Sequence, residues 1–517
     1  MPCFMNFNLI LPKRLLISCV FSIVLFFSGS AQFTFTIATA NTSKNGTKPV
    51  RLLNEVASNA QLNQYGGNKN VKIEGSVFFQ IKKVNEVWYL VDPEGNLFFT
   101  IGVCSVVKGG GIVLPEALKS IGANTLGCWS DETINVDTDK KMSYCPRWNF
   151  MSTYKNTTQR TKDLYTAGII PVFDPGYLTF CDTHAKQLID AKNDPYLLGH
   201  FSDNELPIYD NTTYGNLLDR FLNIQDKTDP NYLAAKSWIV GRKGANYSIS
   251  SEDRELFHGY VTGTYYKITG EAIKRYDPNH LYLGSRLHGA AKSKPSIFKE
   301  AAKYVDMISI NVYGTWTPST IEMDMWAGGG APFFVTEFYA KAEDSGLDNS
   351  GGAGWLVPTQ TDRAKFFENF TLALIEHPGC VGYHHFKYMD DEGSNKGLVN
   401  ETFQWYDTLK NSFYKVARDI YSLRETLTGQ PTGFNINKTQ KNVTIQSDPV
   451  SGKINISSLS SRLNSDVGVY SINGMKINYF HGVDLPFTFS LPSSPPGMYI
   501  LKIASGDEMF SKFIFVN

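Results

Sequence analysis

Two glutamates stand where a carboxyl group could act as an acid, a base or a nucleophile. Glu205 lies in the stretch Leu197-Leu198-Gly199-His200-Phe201-Ser202-Asp203-Asn204-Glu205-Leu206-Pro207, an apolar run that breaks into polar residues and a proline. Glu337 ends Phe333-Phe334-Val335-Thr336-Glu337, and Ser350-Gly351-Gly352 marks a Gly-rich loop beyond it. An apolar run that stops at a polar cluster reads as a buried strand reaching a surface. Parallel barrel strands deliver catalytic side chains at such C-terminal ends. Two carboxyl groups delivered this way can flank one glycosidic bond. One protonates the leaving oxygen and the other attacks the anomeric carbon. A gap of about 5–5.5 Å between them gives retention of configuration. Taken singly, each glutamate reads better as a solvated charge at a loop start. Taken together, on the fourth and seventh of a series of strands, they read as a catalytic pair. Asp203 competes with Glu205 for the acid role.

The pair needs a scaffold, and the chain offers eight short apolar runs: 97–106, 124–129, 169–173, 197–202, 281–286, 307–312, 333–336 and 380–386. Helical patterns lie between most of them, at 183–191, 251–276, 295–304 and 361–376, with a last one at 408–427. Strands alternating with helices predict an α/β fold, a (β/α)8 TIM barrel over residues 71–430. A doubly wound open sheet is the alternative. No Gly-x-Gly-x-x-Gly or Walker loop follows a strand to support it. Residues 75–96 predict an N-terminal β-hairpin region, with Asp92-Pro93-Glu94-Gly95-Asn96 as a turn. From 441 to 517 the pattern changes to short alternating strands, with turn signals at Asn473-Gly474 and Pro496-Gly497. That predicts a small C-terminal β-sandwich.

Composition narrows the partners. Lys+Arg and Asp+Glu both number 49 in 517 residues, so no basic surface argues for nucleic acid. Aromatic residues make up 13%, which suits either core packing or sugar stacking. Lys13 and Arg14, an apolar run from 15 to 27 and Gly29-Ser30-Ala31 predict a signal peptide over 1–31. Residues 32–70 read as a loose leader or linker. No later stretch is long enough for a stable membrane span in the mature chain. Cys104, Cys128, Cys145, Cys181 and Cys380 show no zinc spacing, and a Cys145–Cys181 bridge stays open. Adjacent strand residues face opposite ways, so His384 and His385 cannot easily hold one metal ion. No metal and no cofactor are expected. Arg286 and His288 end the fifth run, where they could bond sugar hydroxyls or hold a carboxylate ionised. Trp129, Trp316 and Trp355 follow strand ends and are candidates to stack on sugar.

Several stretches resemble clan-A glycoside hydrolases, and within them the β-agarase family. They are Trp88-Tyr89-Leu90-Val91-Asp92-Pro93-Glu94-Gly95-Asn96-Leu97-Phe98-Phe99, Phe201-Ser202-Asp203-Asn204-Glu205-Leu206-Pro207, Thr336-Glu337-Phe338-Tyr339-Ala340-Lys341 and His385-Phe386-Lys387-Tyr388-Met389-Asp390-Asp391. The resemblance implies Glu205 as general acid/base and Glu337 as nucleophile. It implies Asn204 on the hydroxyl beside the anomeric carbon and Tyr313 against the nucleophile. The clan often ends strand eight on a tryptophan floor for the sugar. Here the floor falls to His385, Phe386 or Trp316, and Lys387 joins the substrate-binding set. The implied activity is retaining hydrolysis of a β-linked galactan polysaccharide such as agarose. Another β-glycan and a non-catalytic glycan-binding surface protein are the alternatives. Residues 469–474, 497–503 and 512–516 resemble the C-terminal sorting domain of the type IX secretion system, with a carbohydrate-binding module as the rival reading. That resemblance implies export through the periplasm by the type IX machinery, to the cell surface or the medium.

Overall fold

The computed structural model describes residues 33–429, except 55–60, 74–76, 85 and 137. It also describes 443–447, 453–458, 462–471, 476–491, 497–505 and 508–516. The expected signal peptide lies outside the described residues. Contacts divide the chain into two units, Met1–Gly433 and Phe434–Asn517.

Unit one opens with an antiparallel hairpin, β1 (Phe35–Thr42) and β2 (Gly46–Leu53), where the sequence suggested a loose leader. Its strands are held by polar side chains of the helix Gln360–Glu376. Asp362 accepts from Asn41 N at 2.9 Å, Asn369 accepts from Arg51 N at 2.9 Å, and Glu368 accepts from Leu53 N. Backbone donors out of water need partners, and these buried side chains supply them. A four-stranded antiparallel sheet follows in the order β3 (Asn68–Lys72), β6 (Asn96–Phe98), β5 (Val87–Val91), β4 (Gln80–Val84). The turn between β5 and β6 forms as expected. Asp92 Oδ1 accepts from the backbone of Glu94 and Asn96, both at 2.9 Å, and Gly95 takes φ +84°.

Eight parallel strands come next: β7 (Thr100–Val103), β8 (Thr125–Leu126), β9 (Ser143–Tyr144), β10 (Gly199–Phe201), β11 (Leu281–Gly284), β12 (Ile308–Asn311), β13 (Phe333–Glu337) and, after the small pair β14 (Ala340–Ala342) and β15 (Trp355–Val357), β16 (Cys380–His385). Six of them pair in the order β12-β13-β16-β7-β8-β9, and β10 pairs with β11. Isolated parallel bridges, Tyr144–Leu197, Arg147–Phe201 and Leu287–Ile310, link the remaining neighbours. Nearly every residue in these strands is buried, as both faces of a helix-covered parallel sheet must be. Leu198, Phe201, Leu283, Met307, Phe334 and Val381 share one cluster with Phe79, Leu90 and Phe98 of the antiparallel region.

The third strand corrects the sequence reading. Residues 169–173 form no strand. Pro171 has no N–H to give a ladder, Val172 N bonds Ile170 O at 2.8 Å, and Phe173 N bonds Asn231 Oδ1. The segment turns into the helix Pro175–His184. Ser143–Tyr144 takes its place, too short to show a period. The expected helix at 408–427 is two helices, Asp407–Ala417 and Ile420–Thr428. Cys145 and Cys181 are both buried and unpaired, which closes the open disulfide question. No helix among the described residues is long and apolar enough to cross a membrane.

Unit two holds a three-stranded antiparallel sheet, Val443–Ser447, Lys453–Ser458 and Phe487–Ser490. Its second sheet has four strands, Arg462–Ser471, Lys476–Leu485, Gly497–Ser505 and Glu508–Val516. Ile454, Ile456, Val467, Val469, Leu501 and Ile503 form its core. Lys476–Leu485 escaped the sequence reading because half of it is exposed, only Leu485 is fully buried, and it carries no clean alternation.

The longest helix, Ser251–Tyr276, begins in a capping box between Ser250 and Asp253 and stops at Asp277. Asp277 is fully buried. Its Oδ2 takes hydrogen bonds from His200 Nε2 and His280 Nδ1, each at 2.7 Å. These three residues have metal-ligand proximity, but their hydrogens are spoken for. Trp148 Nε1 donates to His200 Nδ1, so His200 Nε2 carries its hydrogen toward Asp277. Both ring nitrogens of His280 face acceptors, Asp277 and the Asp194 carbonyl. Burial pushes the Asp277 carboxyl up, but the two histidines outweigh it and hold it well below the usual carboxylate range. The cluster ties the root of β10 to the end of the helix. Asp277→Asn should cost about 3 kcal/mol of stability, because it strands buried donors. Chemical unfolding reads this directly, and an unchanged midpoint would refute the role.

Candidate active site

Five strand ends carry one hydrogen-bonded group. Glu337 is the last residue of β13, and its side chain is 7% exposed. Arg286 Nη2 donates to its Oε1 at 2.5 Å, and the Tyr313 hydroxyl donates to Oε2 at 2.5 Å. Trp129 Nε1 adds a longer contact to Oε1, 3.4 Å. Arg286 is fully buried, two residues beyond β11. Burial works against its charge. The Glu337 carboxylate outweighs that and holds its pKa above the ordinary value. Burial, then the facing carboxylate, raises the Tyr313 phenol well above its usual range, so it remains a donor.

Glu205 sits in a different setting. Its Oε1 accepts from Asn311 Nδ2 at 2.8 Å, and its Oε2 lies 3.9 Å from His288 Nδ1. Its side chain is 29% exposed. Asn204 Oδ1 accepts from Arg286 Nη1 at 3.1 Å and from Asn311 Nδ2 at 3.3 Å. The Thr336 hydroxyl donates to Asn311 Oδ1 at 2.7 Å, which fixes that amide with its NH2 toward the site. A continuous relay therefore runs Glu205–Asn311–Asn204–Arg286–Glu337. Trp129, Glu205 and Arg286 all adopt left-handed backbone, with φ of 72°, 51° and 51°. Such conformations cost side chains about 1 kcal/mol or more and persist where the surroundings impose them. Asp203 is no rival acid. It is fully buried and accepts from Met151 N, Ser152 N and the Tyr265 hydroxyl at 2.6–2.8 Å.

The structure thus brings together Glu205, Glu337, Asn204, Arg286, His288 and Tyr313. It sets three expected residues elsewhere. Trp316 is 8% exposed, gives its indole N–H to the Pro49 carbonyl and packs on Trp355 and Phe366. It anchors the hairpin and is no sugar floor. His385 is 2% exposed and packs on Phe338 and Phe367 on the helix side of β16, with no hydrogen-bond partner for either nitrogen. The alternation that separates His384 from His385 sends His385 outward. Lys387 pairs with Asp391 at 2.6 Å and contacts neither glutamate. Phe386, half-buried and 5.8 Å from the Tyr339 ring, is the aromatic left at the end of strand eight. Asn311 and Thr336 were missed, although a polar pair inside apolar runs was a visible signal. Arg147 was missed too. It stacks on Trp129 at 3.5 Å beside a cleft of about 810 Å³.

Glutamates at the ends of parallel strands of a mixed α/β fold mark the glycoside hydrolases as a class. No family model matches the chain. It is 30% identical to the solved protein BpGH50, with 78% of this chain and 98% of that one covered and a TM-score of 0.69. The chain belongs to the GH50 family of glycoside hydrolases. The agarase AgWH50C, 20% identical, shares the fold with a TM-score of 0.58 over 70% of this chain and 66% of its own. Beta-agarase B of Vibrio sp. (strain JT0107) is 25% identical over a 487-residue alignment, covering 70% of this chain and 50% of the relative. Beta-agarase A of the same strain is 27% identical over 351 residues, covering 56% and 33%. The chain spans about half the length of the first of these curated relatives and a third of the second.

His384 and His385 carry a titration of their own. Burial first, then Arg286 for His384 and Arg363 for His385, lowers each to about 3. An unfolded histidine titrates near about 6.5. Between those values the unfolded chain binds protons that the folded one refuses, so stability falls as pH drops from about 6.5 toward 3. Each contributes a slope approaching about 1.4 kcal/mol per pH unit. His385→Phe should remove one such share while leaving neutral-pH stability intact or higher. Urea unfolding at pH 7, 6 and 5 measures it, and an unaltered slope would refute the assignment.

Proposed function

We propose that this chain is a secreted β-agarase, a retaining hydrolase of agarose or a related galactan, built on a (β/α)8 barrel. Glu337 is the nucleophile and Glu205 the acid/base. The observation that carries this reading is the unequal setting of the two glutamates. Donors meet both oxygens of Glu337, and one is a guanidinium. That setting suits an anion that attacks the anomeric carbon. Glu205 has one neutral amide donor on one oxygen and a side chain 29% exposed, a setting that leaves room to give and take a proton. Asn204 accepts from two donors at its oxygen, which turns its NH2 outward to meet the hydroxyl beside the anomeric carbon. That contact strengthens in the transition state. In the first step Glu205 protonates the leaving oxygen as Glu337 attacks. In the second, Glu205 takes a proton from the water that releases the sugar.

Family membership and the agarase relatives support the substrate class. The barrel reading rests on eight parallel strands whose bridges link each to the next. We also propose that unit two is the type IX sorting module, which places the enzyme outside the cell or on its surface. Its best stacking rings are committed elsewhere. Phe480 packs on Phe487 and Phe489, and Tyr479 bonds Asp466.

Glu337→Gln should lower kcat/KM on agarose at least about 1,000-fold. Glu205→Gln should slow neutral leaving groups far more than activated aryl glycosides. Tyr313→Phe should lower kcat about tenfold with little change in KM. Proton NMR of early product should show the β anomer first. Full activity of Glu337→Gln would overturn the nucleophile. No hydrolysis of agarose or porphyran would overturn the substrate.

A further inference from the structure

The cleft beside the glutamates holds cations that the mechanism does not use. It lies between the segment after β8, with Trp129, Asp131 and Thr133, and the segment around β9, with Lys141, Tyr144 and Arg147. Trp129 stands at its inner end, because the same indole N–H reaches Glu337. The cleft therefore starts at the reacting carboxylate and runs away from it.

Arg147 is half-buried. Its guanidinium carbon lies 3.5 Å from the centroid of the Trp129 ring, and among the described residues no carboxylate approaches within ion-pair distance. Burial lowers its pKa from the ordinary value, the mark of a cation short of compensation. Lys141 lines the same cleft, its amine 6.0 Å from the Tyr196 ring and likewise without a carboxylate partner. The two carboxylates of the lining are engaged. Asp131 accepts from the Thr133 amide and hydroxyl, and Asp194 accepts from the Tyr144 hydroxyl and the Tyr196 amide. A neutral sugar needs hydroxyl partners, which amides supply at lower cost than a desolvated guanidinium. An oxyanion would compensate the charge and use the guanidinium fork at once. The cation–π contact with the indole helps hold that fork in place.

We propose that this cleft binds a galactan unit carrying a sulfate ester, with Arg147 as its first partner and Lys141 as its second. The inference deepens the galactan reading and rests on it for the sugar, not for the anion. Arg147 is then a specificity-determining residue.

Binding separates the two ideas. In the Glu337→Gln background, where turnover is expected to be slowed at least about 1,000-fold, three tetrasaccharides of one length are titrated calorimetrically: neutral agarose-type, 6-sulfated, and galacturonate-bearing. The sulfated one should bind at least tenfold tighter than the neutral one, and the preference should shrink with added salt. Arg147→Met should bring the sulfated-to-neutral ratio near one, Arg147→Lys should keep part of it, and Lys141→Met should lower it less than Arg147→Met does. Unaltered melting temperatures verify that the variants fold. A ratio near one in the unaltered cleft, a ratio untouched by Arg147→Met, or tighter binding of the galacturonate ligand would overturn the proposal. Hydrolysis by the unaltered protein is the separate arm. Arg147-dependent sulfate binding without any galactan cleavage would uphold this site and remove the galactanase reading.

Discussion

The Arg286 guanidinium is the constraint around which the site is arranged. It is fully buried, and a buried charge without partners costs several kcal/mol. One guanidinium nitrogen answers to the Glu337 carboxylate and the Thr336 carbonyl, the other to Asn204. Its Nε has no partner, so the compensation falls on those contacts. Each also sets something in place. The ion pair fixes the carboxylate of Glu337, and the amide contact fixes which way Asn204 turns. Asn311, held by Thr336, completes the link to Glu205. Glu337 meanwhile takes a second strong donor from Tyr313, so removing the arginine would leave a carboxylate and a phenol mismatched in a buried pocket.

The same rule, that buried polar groups must be answered, explains features far from the site. The hairpin β1–β2 keeps its outer amides out of trouble only because Asp362, Glu368 and Asn369 of the neighbouring helix accept from them. Those three polar residues sit on the face that apolar periodicity would reserve for core. Asp277 does the equivalent for His200 and His280 below the strand that leads to Glu205. His385 breaks the rule, since neither of its nitrogens has a partner. It stays neutral at a cost to acid stability.

Much of this was readable from residues alone, and the limits have physical causes. Long apolar runs announced β7, β13 and β16, and a capped 26-residue helix announced itself through Ser250 and Asp253. Glu205, Glu337, Asn204, Arg286, His288 and Tyr313 could be chosen because each ends a recognisable strand. His385 and Trp316 could not be placed. Which face a strand-end residue takes depends on a one-residue register, and Trp316 is captured by Pro49, distant in the sequence. Asn311 and Thr336 were hidden by the runs that contain them. The left-handed backbone of Trp129, Glu205 and Arg286 has no sequence signature outside glycine.

The misplaced third strand had the widest effect. Assigning it to residues 169–173 put nothing chemical at its end. Ser143–Tyr144 is a poor strand by composition, and it pairs because its neighbours on both sides demand a partner. Once it is the third strand, Arg147 follows its C-terminal end, and the rule that picked out the glutamates applies to it as well. Trp129 after the second strand, Arg147 after the third, Glu205 after the fourth, Arg286 after the fifth, Tyr313 after the sixth and Glu337 at the end of the seventh then share one face. Two guanidiniums on that face have different fates. Arg286 is neutralised by the Glu337 carboxylate it orients. Arg147 touches the indole that reaches the same carboxylate, yet among the described residues no carboxylate answers it. The difference lies in burial: a fully enclosed guanidinium must find its partner within the fold, whereas a half-buried one at the edge of a cleft can leave that place to a ligand.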